Sequence, residues 1–266
     1  MSLLRNVFCT SLGRKYIMAL TGFGLVAFAI GHLIGNFQIF SHPDHINGYG
    51  HFLHSLGPLL WIVRIGLLVL AVLHIWAAVV LTLENRAARP VEYGVKHTIR
   101  ATLASRTMRM TGVIVLAFIL YHLAHFTTGW AQADTFKTNF DYVMSQDYKI
   151  AGFTVVKAGT VVHDVHTMMV LGFQPVIVSL FYIVAVGLLS FHLLHGVDSM
   201  FQSVGFRTQR WSPFLKRVVQ VFCIAYFLGN LAIPGAILLG NVKPHEMNRP
   251  VAHASAADSA RAAHTP

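Results

Sequence analysis

The sequence predicts an all-α fold, an integral membrane bundle of five transmembrane helices, and three observations carry that expectation. Charged residues make up only 11% of the 266-residue chain, where an ordinary soluble domain carries about a quarter. Hydrophobic residues make up 55%, and mean hydropathy is +0.59. Five apolar segments, 16–40, 59–83, 107–130, 171–196 and 214–239, each reach the roughly 20 residues that cross about 30 Å of hydrocarbon at helical rise.

The first segment outlasts the apolar core of a signal peptide and no small-residue cleavage site follows it, so it is expected to be retained. Pro43 breaks the helix. His42, His45, His51 and His54 then read as a solvated interfacial loop, with a quinone site the lesser alternative. Between the third and fourth segments, 131–170 mixes both charge signs with aromatics and is expected to form an ordered cap. Residues 1–241 read as one membrane-embedded domain, and 242–266, rich in Ala, Ser, His and Pro, as a disordered tail.

A formal charge of +10 could indicate nucleic acid, but the 20 Lys and Arg residues lie in short segments between apolar runs rather than along one face. They report topology instead. With the N-terminus cytoplasmic, 13 fall inside: Arg5, Arg14, Lys15, Arg86, Arg89, Lys96, Arg100, Arg106, Arg109, Arg207, Arg210, Lys216 and Arg217. Lys137, Lys149, Lys157, Lys243, Arg249 and Arg261 fall outside, so the positive-inside rule favours N-terminus in and C-terminus out. Cys9 and Cys223 have no second thiol near them in sequence, which argues against a disulfide frame.

Sixteen histidines in so apolar a chain need an explanation, because imidazole in hydrocarbon is costly without a partner or ligand. The first and third segments share the spacing Met-x-x-Thr-Gly-x9-His, as Met18, Thr21, Gly22 and His32 and as Met108, Thr111, Gly112 and His122. Both copies run outward, so His32 and His122 share one depth. In the second and fourth segments, His74 lies ten residues before Glu84 and His192 ten before Gln202, about 15 Å from the inner end. His32 and His122 lie about 24 to 26 Å from that end, so the two levels differ by about 10 Å. Paired neutral imidazoles across a helix bundle are what a six-coordinate haem iron requires. The expected cofactors are two b-type haems, the outer held by His32 and His122 and the inner by His74 and His192. Ala78 and Gly196, one turn beyond the inner ligands, leave room for a flat ring.

A lone intramembrane histidine is as often a helix-helix hydrogen bond as a ligand; the depth pairing is what raises the joint case. A proton-relaying transporter is the main competitor, but no Asp or Glu lies in the middle of a span. His125 and His195 each follow a proposed ligand by three residues. The repeat selects His122 and the ten-residue offset selects His192, leaving His195 to bond a propionate or pack as a polar residue. Pro43, between His32 and His45, argues against two ligands on one helix. Arg64 either meets an outer propionate or quinone oxygen, or snorkels to the interface. Gly22, Gly24, Gly31 and Gly35 form a small-residue stripe suited to helix packing.

Several segments carry a resemblance: Gly31-His32-Leu33-Ile34-Gly35-Asn36, Asn47-x-Tyr49-x-His51-Phe52-Leu53, Leu73-His74, Arg109-x-Thr111-Gly112 with Tyr121-His122, and Phe191-His192-Leu193-Leu194-His195-Gly196 running on to Gln202 and Gly205. The run 164–175, with Met168, Val170 and Phe173, adds to it. Over residues 12–241 the chain resembles the five-helix dihaem cytochrome b that anchors succinate dehydrogenase and fumarate reductase, the succinate:quinone oxidoreductases of bacterial complex II. The resemblance implies haem ligation by His32, His74, His122 and His192. It implies a bacterial inner membrane location, and flavoprotein and iron-sulfur subunits docked on the cytoplasmic face. Electrons would pass from the iron-sulfur subunit through both haems to membrane quinone, or the reverse, with succinate chemistry on another chain. No GxGxxG stands at a strand-helix turn to bind a flavin, so succinate chemistry is expected on another chain and no catalytic residue on this one. Partners are the two subunits, quinone and the lipid bilayer, with no nucleic acid. The cytochrome b subunit of a hydrogenase or formate dehydrogenase is the alternative within redox chemistry, and a haem-free transporter the alternative outside it. A quinone is sought on the outer side near Asn36, Asn47 and Arg64.

Overall fold

The computed structural model describes residues 3–88, 102–137 and 140–245. Arg89, Lys96, Arg100, Arg249 and Arg261 of the charge argument, and most of the expected tail, lie outside the described residues. The described chain is mostly helical. Its helices are α1 (Leu3–Cys9), α2 (Ser11–Asn36, continued by a 3-10 turn at Phe37–Phe40), α3 (Pro43–Ser55), α4 (Pro58–Ala87), α5 (Leu103–Phe126), α6 (Val165–Phe173), α7 (Val176–Ser203) and α8 (Ser212–Leu238).

Five of these, α2, α4, α5, α7 and α8, are long and apolar enough to cross a membrane. Between 11% and 33% of their most apolar stretches is buried by protein, so most of that surface needs an apolar solvent. The chain is a multi-pass membrane protein. Local chemistry sets where each helix starts. The Thr10 hydroxyl accepts from the Gly13 amide at 3.0 Å ahead of α2, and the Thr102 hydroxyl from Ser105 at 3.2 Å ahead of α5. Pro58 opens α4, following Gly57 at φ 53. At the far end of α7 the amide of Gly205, at φ 82, bonds the Gln202 carbonyl, and the Phe206 amide bonds that of Phe201 at 3.0 Å.

The helix limits differ from the apolar runs in physically ordered ways. The run 171–196 joins two helices, because α6 is itself apolar and Pro175 stops α6 from continuing into α7. At its other end α7 runs on past Gly196 through Asp198 and Gln202. Helix α2 starts at Ser11 and takes in Arg14 and Lys15. Long cationic stems can lie along a helix while their heads reach water. Residues 43–55, read as part of a loop, form α3, which Pro43 opens at the first helical position with His42 as cap.

Backbone contacts divide the chain into two compact units. One, the helical unit, holds 1–34, 57–120 and 180–232; the other, the hairpin unit, holds 35–56, 121–179 and 233–266. In the helical unit Arg14 pairs with Glu84, and the Ser11 hydroxyl bonds the same carboxylate at 3.2 Å. Arg207 pairs with Asp198 at 3.1 Å.

The hairpin unit contains two nested antiparallel pairs: β1 (Asp141–Val143) with β4 (Val161–His163), enclosing β2 (Tyr148–Ile150) with β3 (Phe153–Val156). Ala151 and Gly152, both at positive φ, make the tight inner turn. Met144, Tyr148, Val156 and Val162 form an apolar core against Tyr49 and Phe52 of α3. Gly48 is required where α3 meets the strands, since a Cβ there would lie 2.7 Å from the Tyr148 Cβ. Residues 131–170 thus contain ordered hairpins, as the mixed composition led one to expect.

Candidate functional site

Thr21 and Thr111, the threonines of the two Met-x-x-Thr-Gly copies, hold equivalent positions in the helical unit. Each lies on a helix whose hydroxyl also meets its own backbone: Thr21 Oγ1 donates to the Ile17 carbonyl at 2.7 Å, and Thr111 Oγ1 reaches the Thr107 and Met108 carbonyls at 3.1 and 3.0 Å. Each then takes a histidine from another helix. Thr21 Oγ1 lies 3.2 Å from His74 Nδ1, and Thr111 Oγ1 lies 3.4 Å from His192 Nδ1.

A hydroxyl has one proton. Where that proton goes to the helix carbonyl, the threonine oxygen accepts from the imidazole Nδ1–H, and Nε2 of that ring keeps its lone pair. The glycine after each threonine supplies clearance. A Cβ at Gly22 would lie 3.2 Å from His74 Cε1, and one at Gly112 would lie 3.4 Å from His192 Cε1. His74 and His192 are both half-buried and lie within electrostatic reach of one another.

The remaining candidates are placed as follows. His32 is an exposed residue of α2 whose ring stacks on Phe28 at a centroid distance of 5.5 Å. His122 on α5 is half-buried beside Phe126, 5.8 Å between centroids. His32 belongs to the helical unit and His122 to the hairpin unit. His125 is buried, stacked on Phe126 at 3.8 Å, with Gly172 of α6 against it. His195 lies within electrostatic reach of Asp198 and Arg207. Arg64 lies over the Trp61 ring, 5.1 Å from its centroid.

A second polar constellation, in the hairpin unit, escaped sequence reading. Asp164, only 1% exposed, caps α6 by accepting from the Thr167 amide at 3.0 Å. Its Oδ1 also accepts from Asn47 Nδ2 at 3.1 Å, and its Oδ2 pairs with His245 Nε2 at 3.0 Å. Asn47 is fully buried, and its carbonyl oxygen takes the His166 amide at 2.9 Å, so both ends of its amide are engaged inside the unit. Nearby, Asp44 pairs with His42 at 3.0 Å and accepts from the Ser145 amide at 2.9 Å.

The environment of this constellation tunes its acids and bases. Burial pushes the Asp164 carboxyl up, but the His245 bond, the Thr167 bonds and the His245 charge together hold it below its ordinary value. Burial likewise raises Asp44, and bonds from Ser145 and Tyr142 with the charge of His42 bring it below the ordinary range. Burial drives His166 down against the pull of Asp164, aided by repulsion from His245 and His42. Tyr142 is pushed up by burial and by its bond to Asp44. Only the N-cap of α6 had a local signal, an Asp just before an apolar helical run. His245 falls in the segment read as a disordered tail, yet it is placed against Asp164.

The fold and these sites define a multi-pass membrane protein with buried histidines held at set orientations. Compared with known protein families, curated proteins and solved structures, the chain matches none of them.

Proposed function

We propose that this protein is the dihaem cytochrome b membrane subunit of a succinate:quinone oxidoreductase, carrying electrons between an iron-sulfur subunit and membrane quinone. The single observation behind this reading is the matched support of His74 by Thr21 and of His192 by Thr111. Metal-ligating histidines almost always donate their second ring nitrogen to an oxygen, which fixes the tautomer and aims the ligating nitrogen. Two histidines prepared alike, within electrostatic reach, fit a bis-imidazole haem.

In this reading His74 and His192 hold the inner haem and His32 and His122 the outer. Bound haem iron supplies one-electron carriage, and the protein supplies the rest. Thr21 and Thr111 fix the imidazole tautomers, the apolar helices exclude water, and Gly22 and Gly112 let the rings lie against the backbone. In this reading the N-terminus lies in the cytoplasm of a bacterial cell, as the positive-inside count favours. Basic residues including Arg86, Arg106, Arg109, Arg207 and Arg210 would there face the flavoprotein and iron-sulfur subunits. Quinone and the lipid bilayer complete the partners.

A reduced-minus-oxidised spectrum with haem quantitation on the purified protein tests the reading, together with His32→Ala, His74→Ala, His122→Ala and His192→Ala. About two b haems per chain, with haem lost or its spectrum altered in every variant, is the expected result. One haem would mean a wrong pair. No haem would overturn the cytochrome reading in favour of a transporter, and co-purification with a hydrogenase in place of a flavoprotein would overturn the assignment to succinate chemistry.

A further inference from the structure

We infer that Thr21 and Thr111 are positioning residues that set the redox potential of the inner haem, one through each of its ligands. The inference rests on the haem reading above and goes beyond it, since nothing about ligation alone requires a hydroxyl behind each ligand. A threonine in an apolar helix ordinarily spends its hydroxyl on the carbonyl three or four residues back and has no further task. Both threonines do make that bond, and both are in addition in contact with a histidine from another helix, at 3.2 and 3.4 Å. The same arrangement occurs twice, at the same place in a repeated sequence, on the two histidines assigned to one haem. Chance placement of a helix hydroxyl explains one such contact poorly and two worse.

The chemical consequence follows from the direction of the bond. An imidazole that ligates through Nε2 carries its proton on Nδ1, so each threonine oxygen would accept from Nδ1–H, which leaves electron density on Nε2 and makes the imidazole a stronger donor. A stronger donor stabilises the ferric state over the ferrous, and so lowers the midpoint potential. Burial in an apolar span sharpens the effect, because a low-dielectric surrounding strengthens each remaining electrostatic contact. Valine has the shape of threonine without the acceptor. Serine has the acceptor without the methyl group.

The experiment is a potentiometric titration of both haems in full-length protein, as wild type, Thr21→Val, Thr111→Val, the double variant, Thr21→Ser and Thr111→Ser, with ferric low-spin EPR spectra of each. Each valine variant is expected to weaken the preference for the ferric inner haem about threefold to tenfold, tenfold being about 59 mV for a one-electron couple. The shift is upward, larger in the double variant, absent from the outer haem, and reversed by serine. Midpoints unchanged in both valine variants of a protein that carries two haems would overturn the inference while leaving the haem reading intact. A wild type without haem would instead overturn the reading beneath it. If valine abolishes the inner haem, serine decides: a wild-type potential supports the hydroxyl, and loss in serine as well overturns it.

Discussion

Asp164→Ala tests the internal logic of the hairpin unit independently of any cofactor. The carboxylate is 1% exposed and has three partners: the Thr167 amide, Asn47 and His245. Losing a helix N-cap costs about 1 kcal/mol. Removing the buried acceptor also strands the Asn47 amide and the His245 ring, each at about 1–3 kcal/mol, although His245, at 22% exposed, recovers part of that from water. The sum is about 3–5 kcal/mol for the unit. Asp164→Asn keeps an oxygen for Asn47 and Thr167 and loses only the charge-assisted bond to His245, so about 1.5–3 kcal/mol is expected. Hydrogen exchange of amides in 140–173, measured in nanodiscs, reads this directly, since each 1.4 kcal/mol is about tenfold in opening. Exchange in Asp164→Ala is expected to quicken by at least about a hundredfold, and by less in the Asn variant. An Ala variant within about threefold of wild type would refute the placement of the carboxylate as the keystone of the unit.

The same amides carry a pH prediction. His166 is held neutral below its ordinary 6.5, so its contribution is complete above that value and lost progressively as pH falls through 6.5 toward the lowered folded value. Asp164 and Asp44, depressed below 3.8, contribute fully above that value and lose it as pH falls further. Protection in 140–173 should therefore fall in two stages on acidification, and His166→Gln should remove the upper stage; a flat profile between pH 7 and 5 would contradict the burial of neutral His166. Gly48→Ala sets a Cβ 2.7 Å from the Tyr148 side chain and should destabilise the hairpin unit by about 1–3 kcal/mol, seen as lost protection in 148–156. Glu84→Gln breaks the pair with Arg14, but Glu84 is 38% exposed, so a thermal melt should move by less than about 1 kcal/mol, and a larger loss would mark the pair as structural.

What could be read in advance follows from the range of each interaction. Membrane helices announce themselves because hydrocarbon imposes length and polarity on every residue of a span, and all five were visible. Their ends were less so. Asp198 and Gln202 look like the end of a hydropathy run, yet α7 continues through them, since the backbone ladder tolerates polar residues and ends only at Gly205. Pro175 hides inside a run that is apolar on both sides. The repeat pointed to His32 and His122 and the matched ten-residue offsets to His74 and His192, but the contacts of the last two with Thr21 and Thr111 were not legible, because a threonine within an apolar segment has a default partner in its own helix. The hairpin constellation was least legible. Asn47 bonds Asp164 and the His166 amide across separations of 117 and 119 residues, which no local pattern records.

The eleven-residue step from threonine to histidine in the repeat gains a second meaning from this geometry. Eleven residues are three turns plus about 20° on an α-helix, so Thr21 and His32 lie on nearly one face of α2, about 16 Å apart along the axis. Thr111 and His122 stand in the same relation on α5. The face that receives a histidine from another helix at one level therefore presents its own histidine at the next. Under the haem reading, one repeated spacing then performs two tasks: its threonine tunes the inner pair while its histidine supplies the outer. A change in that spacing would disturb both levels at once, whereas a change at His32 alone would disturb only one.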